Sequence, residues 1–231
     1  MPSTTYIIQH LPHIPAGQLL PLLNAKSIPV QVIKAWQLKV TELEEIFAKI
    51  RSSDSLIVLG GSMHAYAEAD YPWISLVREL LAKRLEATGK TLGICLGHQL
   101  AAVGLGGEVT VGALEPAEKA KTLLTWEKHP WVSQIFGNCP PRSVFSDHSD
   151  VVTNLPRSAQ LLAANENGVQ AVAYSENYLT VQFHPEVNES VLTSWYSETE
   201  PAYLPEALSV YKHEKTTLEA TAKTLVNWWI H

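Results

Sequence analysis

One of the two cysteines lies between glycines, in Gly93-Ile94-Cys95-Leu96-Gly97, after an apolar run and ahead of a helical pattern. This arrangement is typical of a nucleophile elbow, a sharp strand-to-helix turn that holds a reactive side chain above a sheet. Glycines on both sides avoid Cβ clashes in such a turn, and the N-terminus of the following helix stabilises a thiolate. We therefore predict that Cys95 is a nucleophile and that the main-chain amide of Leu96 is an oxyanion donor.

A histidine suited to act as the base lies at the end of another predicted strand, in Phe183-His184-Pro185-Glu186. Pro185 biases His184 toward extended backbone, in which residues two apart point the same way. The Glu186 carboxylate can then reach the imidazole, fix its tautomer and stabilise the imidazolium. Together with Cys95, these residues predict a Cys-His-Glu catalytic set.

A glycine pair, Gly60-Gly61, ends a third predicted strand. Paired glycines let the backbone approach a ligand, so the Gly61 amide is a candidate second oxyanion donor. Taken alone, the pair is more simply interpreted as an ordinary tight turn.

The elements that must position these residues alternate between strand and helix in the first half of the chain. Such alternation predicts an α/β fold with a parallel sheet, whose chemistry lies at the carboxyl ends of the strands. The predicted strands are Thr5–Gln9, Val30–Ile33, Ser55–Leu59 and Thr91–Ile94, and the predicted helices are Ala16–Asn24, Thr41–Ile50 (with Thr41 and Glu44 spaced as a capping box), Trp73–Glu86 and Gly97–Gly104.

The second half predicts short strands and a helical close. A hairpin turn is expected at Asn165–Gly168. The predicted strands are Leu123–Trp126, Ser143–Phe145, Leu161–Ala164, Ala171–Tyr174 and Leu179–Phe183, followed by helices at Val187–Trp195 and Ala207–Ile230. We expect one domain over residues 1–231 with an extra helical tail over about 197–231, whose Leu218, Ala222, Leu225 and Trp228-Trp229-Ile230 pack against the core.

Composition narrows the class of protein. Of 231 residues, 46% are hydrophobic, which excludes general disorder, and the formal net charge of −6 argues against nucleic-acid binding. Two cysteines are too few for a disulfide scaffold and fit a reducing compartment, with Cys139 incidental. No signal peptide, membrane span or metal-ligand spacing is apparent. We expect a cytoplasmic enzyme without a metal or other cofactor.

Three motifs together resemble a known family. Gly60-Gly61, the stretch Gly93–Gln99 and Phe183–Glu186, in that order, resemble the class I glutamine amidotransferases, and more narrowly their stand-alone GMP synthase-like members. The resemblance implies a flavodoxin-like three-layer α/β sandwich with a mostly parallel central sheet and a small antiparallel extension. It also implies cleavage of the glutamine γ-amide through a thioester on Cys95, giving glutamate and ammonia.

The resemblance further implies a glutamine pocket. Gln99 and the segment His148-Ser149-Asp150 match positions that in the family line the pocket and hold the α-amino and carboxylate groups of glutamine. Gly60 is grouped with them as a substrate-binding residue.

Two departures from the family leave the exact activity open. Ser62 replaces the proline of the usual Gly-Gly-Pro turn, and Glu108–Lys121 lacks a Glu-Ile-Gly-type signature. The leading hypothesis is a glutamine amidotransferase that serves a synthetase or other acceptor subunit. The alternatives are a γ-glutamyl amide or peptide hydrolase, a cysteine hydrolase of the same fold with an open substrate range, and a non-catalytic regulatory relative.

Overall fold

A computed structural model describes residues 3–230, which form twelve strands and seven α-helices. The strands are β1 (Thr5–Gln9), β2 (Val30–Lys34), β3 (Ser55–Val58), β4 (Thr91–Ile94), β5 (Glu108–Thr110), β6 (Glu118–Leu123), β7 (Thr125–Trp126), β8 (Ser143–His148), β9 (Val151–Asn154), β10 (Gln160–Asn165), β11 (Gly168–Ser175) and β12 (Tyr178–Val181). The helices are α1 (Leu19–Ala25), α2 (Val40–Lys49), α3 (Trp73–Lys83), α4 (Leu96–Gly104), α5 (Pro130–Phe136), α6 (Glu189–Thr199) and α7 (Leu204–Trp229).

Eight strands form the central sheet in the order β2-β1-β3-β4-β12-β11-β10-β7. The first five are parallel, and the last three continue the sheet in antiparallel fashion. The order of the parallel part is that of flavodoxin-like folds, in which ligands bind at the carboxyl ends of the strands near the point where the order reverses. Two further pairs, β5–β9 and β6–β8, are antiparallel. The predicted α/β fold class with a small antiparallel extension is confirmed.

Apolar side chains cover both faces of the central sheet, which makes three layers. Helices α1, α5 and α7 pack on one face, and α2, α3 and α4 pack on the other. The parallel strands β3 and β4 are buried along their whole length, as their continuous apolar sequences require. The carboxyl ends of these two strands are therefore held rigidly between two cores.

The C-terminal helices pack as the apolar spacing predicts. Leu218, Ala222 and Leu225 of α7 are buried, and the indole of Trp229 donates a hydrogen bond to the Thr5 hydroxyl at 3.0 Å. Ile230 lies outside this contact and is exposed. A separate apolar cluster joins α6 to β8 and to the first half of α7, so α6 is fixed beside the carboxyl edge of the sheet.

Some predicted local features differ in the structure. The capping box expected at Thr41 and Glu44 is wrong, because the Glu42 carboxylate accepts the capping hydrogen bond, from the Lys39 amide at 2.7 Å. Strands β5, β6 and β9 and helix α5 were not predicted, because each is short or rich in polar residues and lacks a strong apolar period. The predicted strand Leu123–Trp126 corresponds to β7 and the last residue of β6. No helix within residues 3–230 is long and apolar enough to cross a membrane.

Candidate active site

Cys95 occupies the turn between β4 and α4 and has a strained backbone. Its φ of 50° and ψ of −103° are unfavourable for an L-residue, and it is the N-cap residue of α4. A Cβ on Gly97 would collide with the Val58 carbonyl oxygen, and a Cβ on Gly93 would lie 2.6 Å from the Gly97 carbonyl oxygen. Both flanking positions therefore require glycine, as the elbow interpretation expects.

His184 and Glu186 form a buried pair beside this turn. The His184 Nδ1 lies 2.7 Å from the Glu186 Oε1, and both side chains are almost completely buried. Burial by itself would lower the pKa of His184. The charges of Glu186 and Cys95, with hydrogen bonds to both side chains, outweigh burial and raise the pKa of His184 well above its ordinary value. His184 therefore lies between the Glu186 carboxyl group and Cys95, where its protonated form is stabilised.

The glycine pair faces these side chains. A Cβ placed on Gly60 would lie 3.1 Å from the His184 Cε1 and 3.5 Å from the Cys95 Cβ, so the backbone passes directly against the pair. Gly61 lines the same cavity as Cys95 and His184. Leu96 is the first residue of α4, where a backbone N–H has no acceptor within the helix. The structure thus brings together the carboxyl ends of three parallel strands, β3, β4 and β12.

A residue that sequence analysis missed, Gln18, holds the loop that carries His184. Its side-chain amide donates hydrogen bonds to the carbonyls of Pro185 and Val187 at 3.0 and 2.9 Å, and its backbone N–H donates to the Glu186 carbonyl at 3.0 Å. The preceding residue, Gly17, has a φ of 47°, and a Cβ there would collide with the same Glu186 carbonyl. Three consecutive carbonyls of the loop are therefore held from one side. A single glutamine 167 positions away gives no sequence signal for this contact.

A cavity of about 460 Å³ opens in front of Cys95. This volume falls in the usual range for small-molecule sites. Its lining includes the predicted residues Gly61, Cys95, Gln99, His148, Ser149, Asp150 and His184, together with Lys119, Asp147, Trp195, Tyr196, Thr199 and Glu200, which sequence analysis did not single out. Leu96, Glu186 and Gly60 are not part of this lining, although the Gly60 backbone passes against Cys95 and His184.

The predicted glutamine-binding residues are connected to one another. The Gln99 side-chain amide donates to the Asp150 carbonyl at 3.3 Å and to the Gln182 side chain at 3.2 Å. The His148 ring has an oxygen acceptor at each nitrogen, the Asp150 carbonyl at 3.0 Å and the Glu118 carboxylate at 2.7 Å. Because both ring nitrogens are engaged, His148 shapes the pocket wall. Asp150 Oδ1 accepts hydrogen bonds from the Gly112 amide at 2.8 Å and the Ser149 hydroxyl at 3.4 Å, and both Ser149 and Asp150 line the cavity.

Glu118 is a second residue that sequence analysis missed. Its carboxylate accepts hydrogen bonds from His148, Asn165, Asn167 and Gln170 over 2.6–2.9 Å. Burial would raise the pKa of Glu118, but the hydrogen bonds from His148 and the two asparagines, with the charge of His148, lower it to about 2. Glu118 thereby ties the β10–β11 hairpin to the pocket wall.

The signature that the sequence lacks has a structural counterpart at the start of β6. Ala120, two residues after Glu118, has a φ of 63°, a conformation that favours glycine. The segment Glu118-Lys119-Ala120 therefore keeps the glutamate of a Glu-x-Gly pattern, with alanine at the glycine position. Lys119 occupies the position between them and reaches the cavity.

A further histidine and the second cysteine are not part of the Cys95–His184–Glu186 group. His64 lines the cavity mouth and accepts a hydrogen bond from the Tyr66 amide through Nδ1 at 3.2 Å. Cys139 is free and exposed, whereas Cys95 is free and buried. Over residues 3–230, no group of three or more His, Cys, Asp or Glu side chains is arranged to hold a metal ion.

The sequence is similar to curated proteins of two kinds. The family model described as "Glutamine amidotransferase class-I" matches residues 25–198. Gamma-glutamyl peptidase 4 of Arabidopsis thaliana is 30% identical over 142 residues, which is 60% of this chain and 56% of the relative. One subunit of the glutamine-hydrolyzing GMP synthase of Sulfurisphaera tokodaii is 37% identical over 108 residues, 46% of this chain and 55% of the relative. The chain spans a little over half the length of these relatives.

Solved structures share the fold. A glutamine amidotransferase from Thermotoga maritima superposes with a TM-score of 0.81 at 22% identity, covering 99% of this chain and 98% of the other. A glutamine amidotransferase from Methylobacillus flagellatus gives a TM-score of 0.82 at 23% identity, covering 100% of this chain and 95% of the other.

Proposed function

Because the chain belongs to the class I glutamine amidotransferase family, we propose that it cleaves the γ-amide of glutamine with Cys95 as nucleophile, giving glutamate and ammonia for an acceptor. The observation that carries this proposal is the buried pair of His184 and Glu186 next to Cys95, with Cys95 and His184 lining the cavity. A strained elbow, a buried carboxylate and a histidine whose pKa is raised are more than a structural cysteine needs.

The first half of the reaction forms a thioester. The Cys95 sulfur attacks the γ-carbonyl carbon, and the main-chain amides of Leu96 and Gly61 stabilise the oxyanion. His184 then gives its proton to the nitrogen, the C–N bond breaks, and the amine or ammonia leaves. Glu186 holds the imidazole in place and stabilises its charged form.

The second half releases glutamate. His184, now neutral, takes a proton from water, and the resulting hydroxide attacks the thioester carbon. The C–S bond breaks and Cys95 leaves as a thiolate, with the proton retained on His184. The sum is one amide bond hydrolysed with one water, and no redox or metal step is required.

The α-amino and α-carboxylate groups of the glutamyl part fit the end of the cavity formed by Gln99, Ser149 and Asp150. We assign this role from the family resemblance, and the position of these residues in the cavity lining supports it. His148 acts there as a positioning residue, because its ring is bound to Asp150 and Glu118.

A γ-glutamyl amide or peptide hydrolase is the second candidate function. The observation that favours it is the extension of the cavity past His184 to Trp195 and Thr199 of α6 and to Glu200 beyond its last turn, which leaves room for a leaving group larger than ammonia. The γ-glutamyl peptidase relatives support the same candidate. Both functions use the same thioester and differ in what leaves.

A partner that takes up the ammonia, such as a synthetase or other acceptor subunit, belongs to the first candidate, and the GMP synthase relative supports it. A cytoplasmic location is part of the same proposal, and the two free cysteines support a reducing compartment.

The test is release of ammonia from glutamine and of amine from γ-glutamyl amides by the purified protein. We expect turnover in the wild type and none above background in Cys95→Ala. Cys139→Ala is the matched control, because it removes the other free cysteine, which is exposed. Equal release by wild type and Cys95→Ala would refute the proposal, and no release by either would favour a non-catalytic relative.

A further inference from the structure

The half of the cavity beside His184 is built by α6 and β6, outside the catalytic set. The Trp195 ring packs edge-on against the His184 ring, with centroids 4.7 Å apart. Since His184 must protonate the departing nitrogen, the leaving group has to lie next to that ring. The lining residues that pack with Trp195 at the end of α6 and on β6 are therefore on the leaving-group side.

Lys119 is the one lysine or arginine among the described residues that line the cavity. Its ammonium lies 2.6 Å from both carboxylate oxygens of Glu200 and 4.0 Å from an oxygen of Asp147. The rings of Tyr203 and Tyr196 lie 5.0 and 5.9 Å from the ammonium. The lysine is thus held at the cavity rim by partners on several sides.

The contact between Lys119 and Glu200 is suited to exchange. The Glu200 side chain is 48% exposed and follows the last turn of α6, where the helix dipole disfavours a negative charge. Exposed ion pairs of this kind contribute about 0–1 kcal/mol. A carboxylate brought by a ligand can therefore replace Glu200 on Lys119 with little loss. Asp147 is fixed separately, because the Tyr196 hydroxyl donates to it at 2.5 Å.

We propose that Lys119 binds a carboxylate on the leaving group, so that γ-glutamyl amino acids are preferred over γ-glutamyl alkylamides. This inference rests on the proposed thioester chemistry and names a specificity-determining residue for it. The Trp195 ring would contact the apolar part of the departing amino acid.

The experiment compares two substrates that differ in this carboxylate alone, γ-glutamylalanine and γ-glutamylethylamide. Lys119→Met keeps most of the apolar stem and removes the charge. We expect it to lower kcat/KM for γ-glutamylalanine by roughly tenfold to a hundredfold, the range for losing a charged hydrogen bond. The value for γ-glutamylethylamide should change less than about threefold by the same reasoning. Glu200→Gln should lower KM for γ-glutamylalanine alone, because it frees the lysine.

Lys121→Met is the matched control. Lys121 lies two residues along the same strand and has an equivalent ion pair with Glu214 at 2.6 Å, but it does not line the cavity. The Lys121→Met variant should have the same kcat/KM as the wild type for both substrates.

Three results would overturn the inference. If Lys119→Met lowers kcat/KM equally for both substrates, the lysine binds the glutamyl part or supports the fold. If kcat/KM falls for neither substrate, Lys119 binds no part of the substrate. Preference of the wild type for a γ-glutamyl aminobutylamide would mean that Asp147 and Glu200 select a cationic leaving group. If the protein hydrolyses γ-glutamylethylamide or glutamine in these experiments, the proposed function is retained even where the inference about Lys119 fails. If it hydrolyses no γ-glutamyl compound, both the proposed function and the inference about Lys119 are refuted.

Discussion

The two walls of the cavity differ in which parts of the fold form them and in how their side chains are held. The catalytic wall, named for its proposed role, comprises Cys95 and His184 with Gly60 and Glu186 directly against them. It lies at the carboxyl ends of parallel strands packed between two cores. The rim wall, formed by Lys119, Asp147, Trp195 and Glu200, lies on the separate β6–β8 pair and at α6. In the first, backbone geometry fixes the positions of the side chains. In the second, the side-chain contacts are exposed, and we propose that they exchange with a ligand.

Burial separates the two walls as clearly as topology does. The His184 and Glu186 side chains are 5% and 0% exposed, whereas those of Lys119 and Glu200 are 26% and 48% exposed. Electrostatic interactions are stronger where water is excluded. Changes in the catalytic wall should therefore affect kcat for every substrate, and changes in the rim wall should affect the preference among substrates.

The largest expected effect comes from removing the charge of the catalytic wall with Glu186→Gln. The change keeps the shape of the side chain but removes the carboxylate that orients His184 and stabilises its imidazolium. We expect kcat to fall by about a thousandfold or more for all γ-glutamyl substrates, by analogy with the loss of the aspartate in a serine-protease triad. Steady-state kinetics of amine release measure this.

Glu189→Gln is the control for that variant, since Glu189 is an exposed glutamate three residues further along. It should retain full activity. A Glu186→Gln protein with near wild-type kcat would show that the buried carboxylate is structural, and the distinction between the walls would fail.

A smaller effect is expected from Gln18→Ala, which removes two side-chain hydrogen bonds to the loop that carries His184 and leaves the four residues of the catalytic wall unchanged. Two carbonyls of the histidine loop lose their donors, so unfolding free energy should fall by about 2 kcal/mol. A looser loop should also lower kcat about tenfold, because small displacements weaken alignment. Weaker pairing with Glu186 should lower the pKa of His184, so the alkaline fall in kcat/KM moves to lower pH.

The pH dependence of kcat/KM in Gln18→Ala shows whether Gln18 positions His184 or only stabilises the fold. Gln134→Ala, at an exposed site in α5, is the control and should alter neither profile nor stability. If Gln18→Ala loses stability but keeps its kcat and pH profile at temperatures where it is folded, the glutamine supports the fold alone.

The weakest effect is expected at Glu118, which adjoins Lys119 of the rim wall and binds His148 and the β10–β11 hairpin. Glu118→Gln should lose about 2 kcal/mol of unfolding free energy at neutral pH, because an amide cannot accept all four hydrogen bonds. Folding lowers the pKa of Glu118 from 4.5 to about 2, so its stabilising contribution is complete above about pH 4.5 and is lost as pH falls toward 2. The difference between wild type and variant should shrink over that interval.

Chemical denaturation at several pH values measures this difference, with the exposed Glu108→Gln as control. A constant difference between wild type and Glu118→Gln from pH 7 to pH 2 would contradict the pairing with His148.

The sequence predicts the site correctly where the residues that form a contact lie close together in the chain. Gly93, Cys95 and Gly97 lie within five positions, so the elbow can be read directly, and the spacing of His184 and Glu186 predicts their contact. These residues belong to the catalytic wall, whose geometry follows from the strand-to-helix turn and the strand end.

The rim wall left no such signal, because its contacts join distant residues. Lys119 meets Glu200 across 81 positions. The same holds for Gln18, which supports the catalytic wall and meets Pro185 across 167 positions. Each is an ordinary polar residue until packing brings the partners together. The Glu118 network depends in addition on the hairpin at Asn165, which was predicted as a turn without its partner.

Attack of Cys95 on a glutamyl carbonyl can be tested by covalent labelling with a chloroketone analogue of glutamine. Peptide mass spectrometry then identifies which cysteine carries the label. The protein contains its own control, because Cys139 is free and far more exposed than Cys95. We predict stoichiometric labelling of the buried Cys95, protection by glutamine or γ-glutamylalanine, and little labelling of Cys139. Labelling of Cys139 alone, or labelling of Cys95 that neither substrate reduces, would contradict the account.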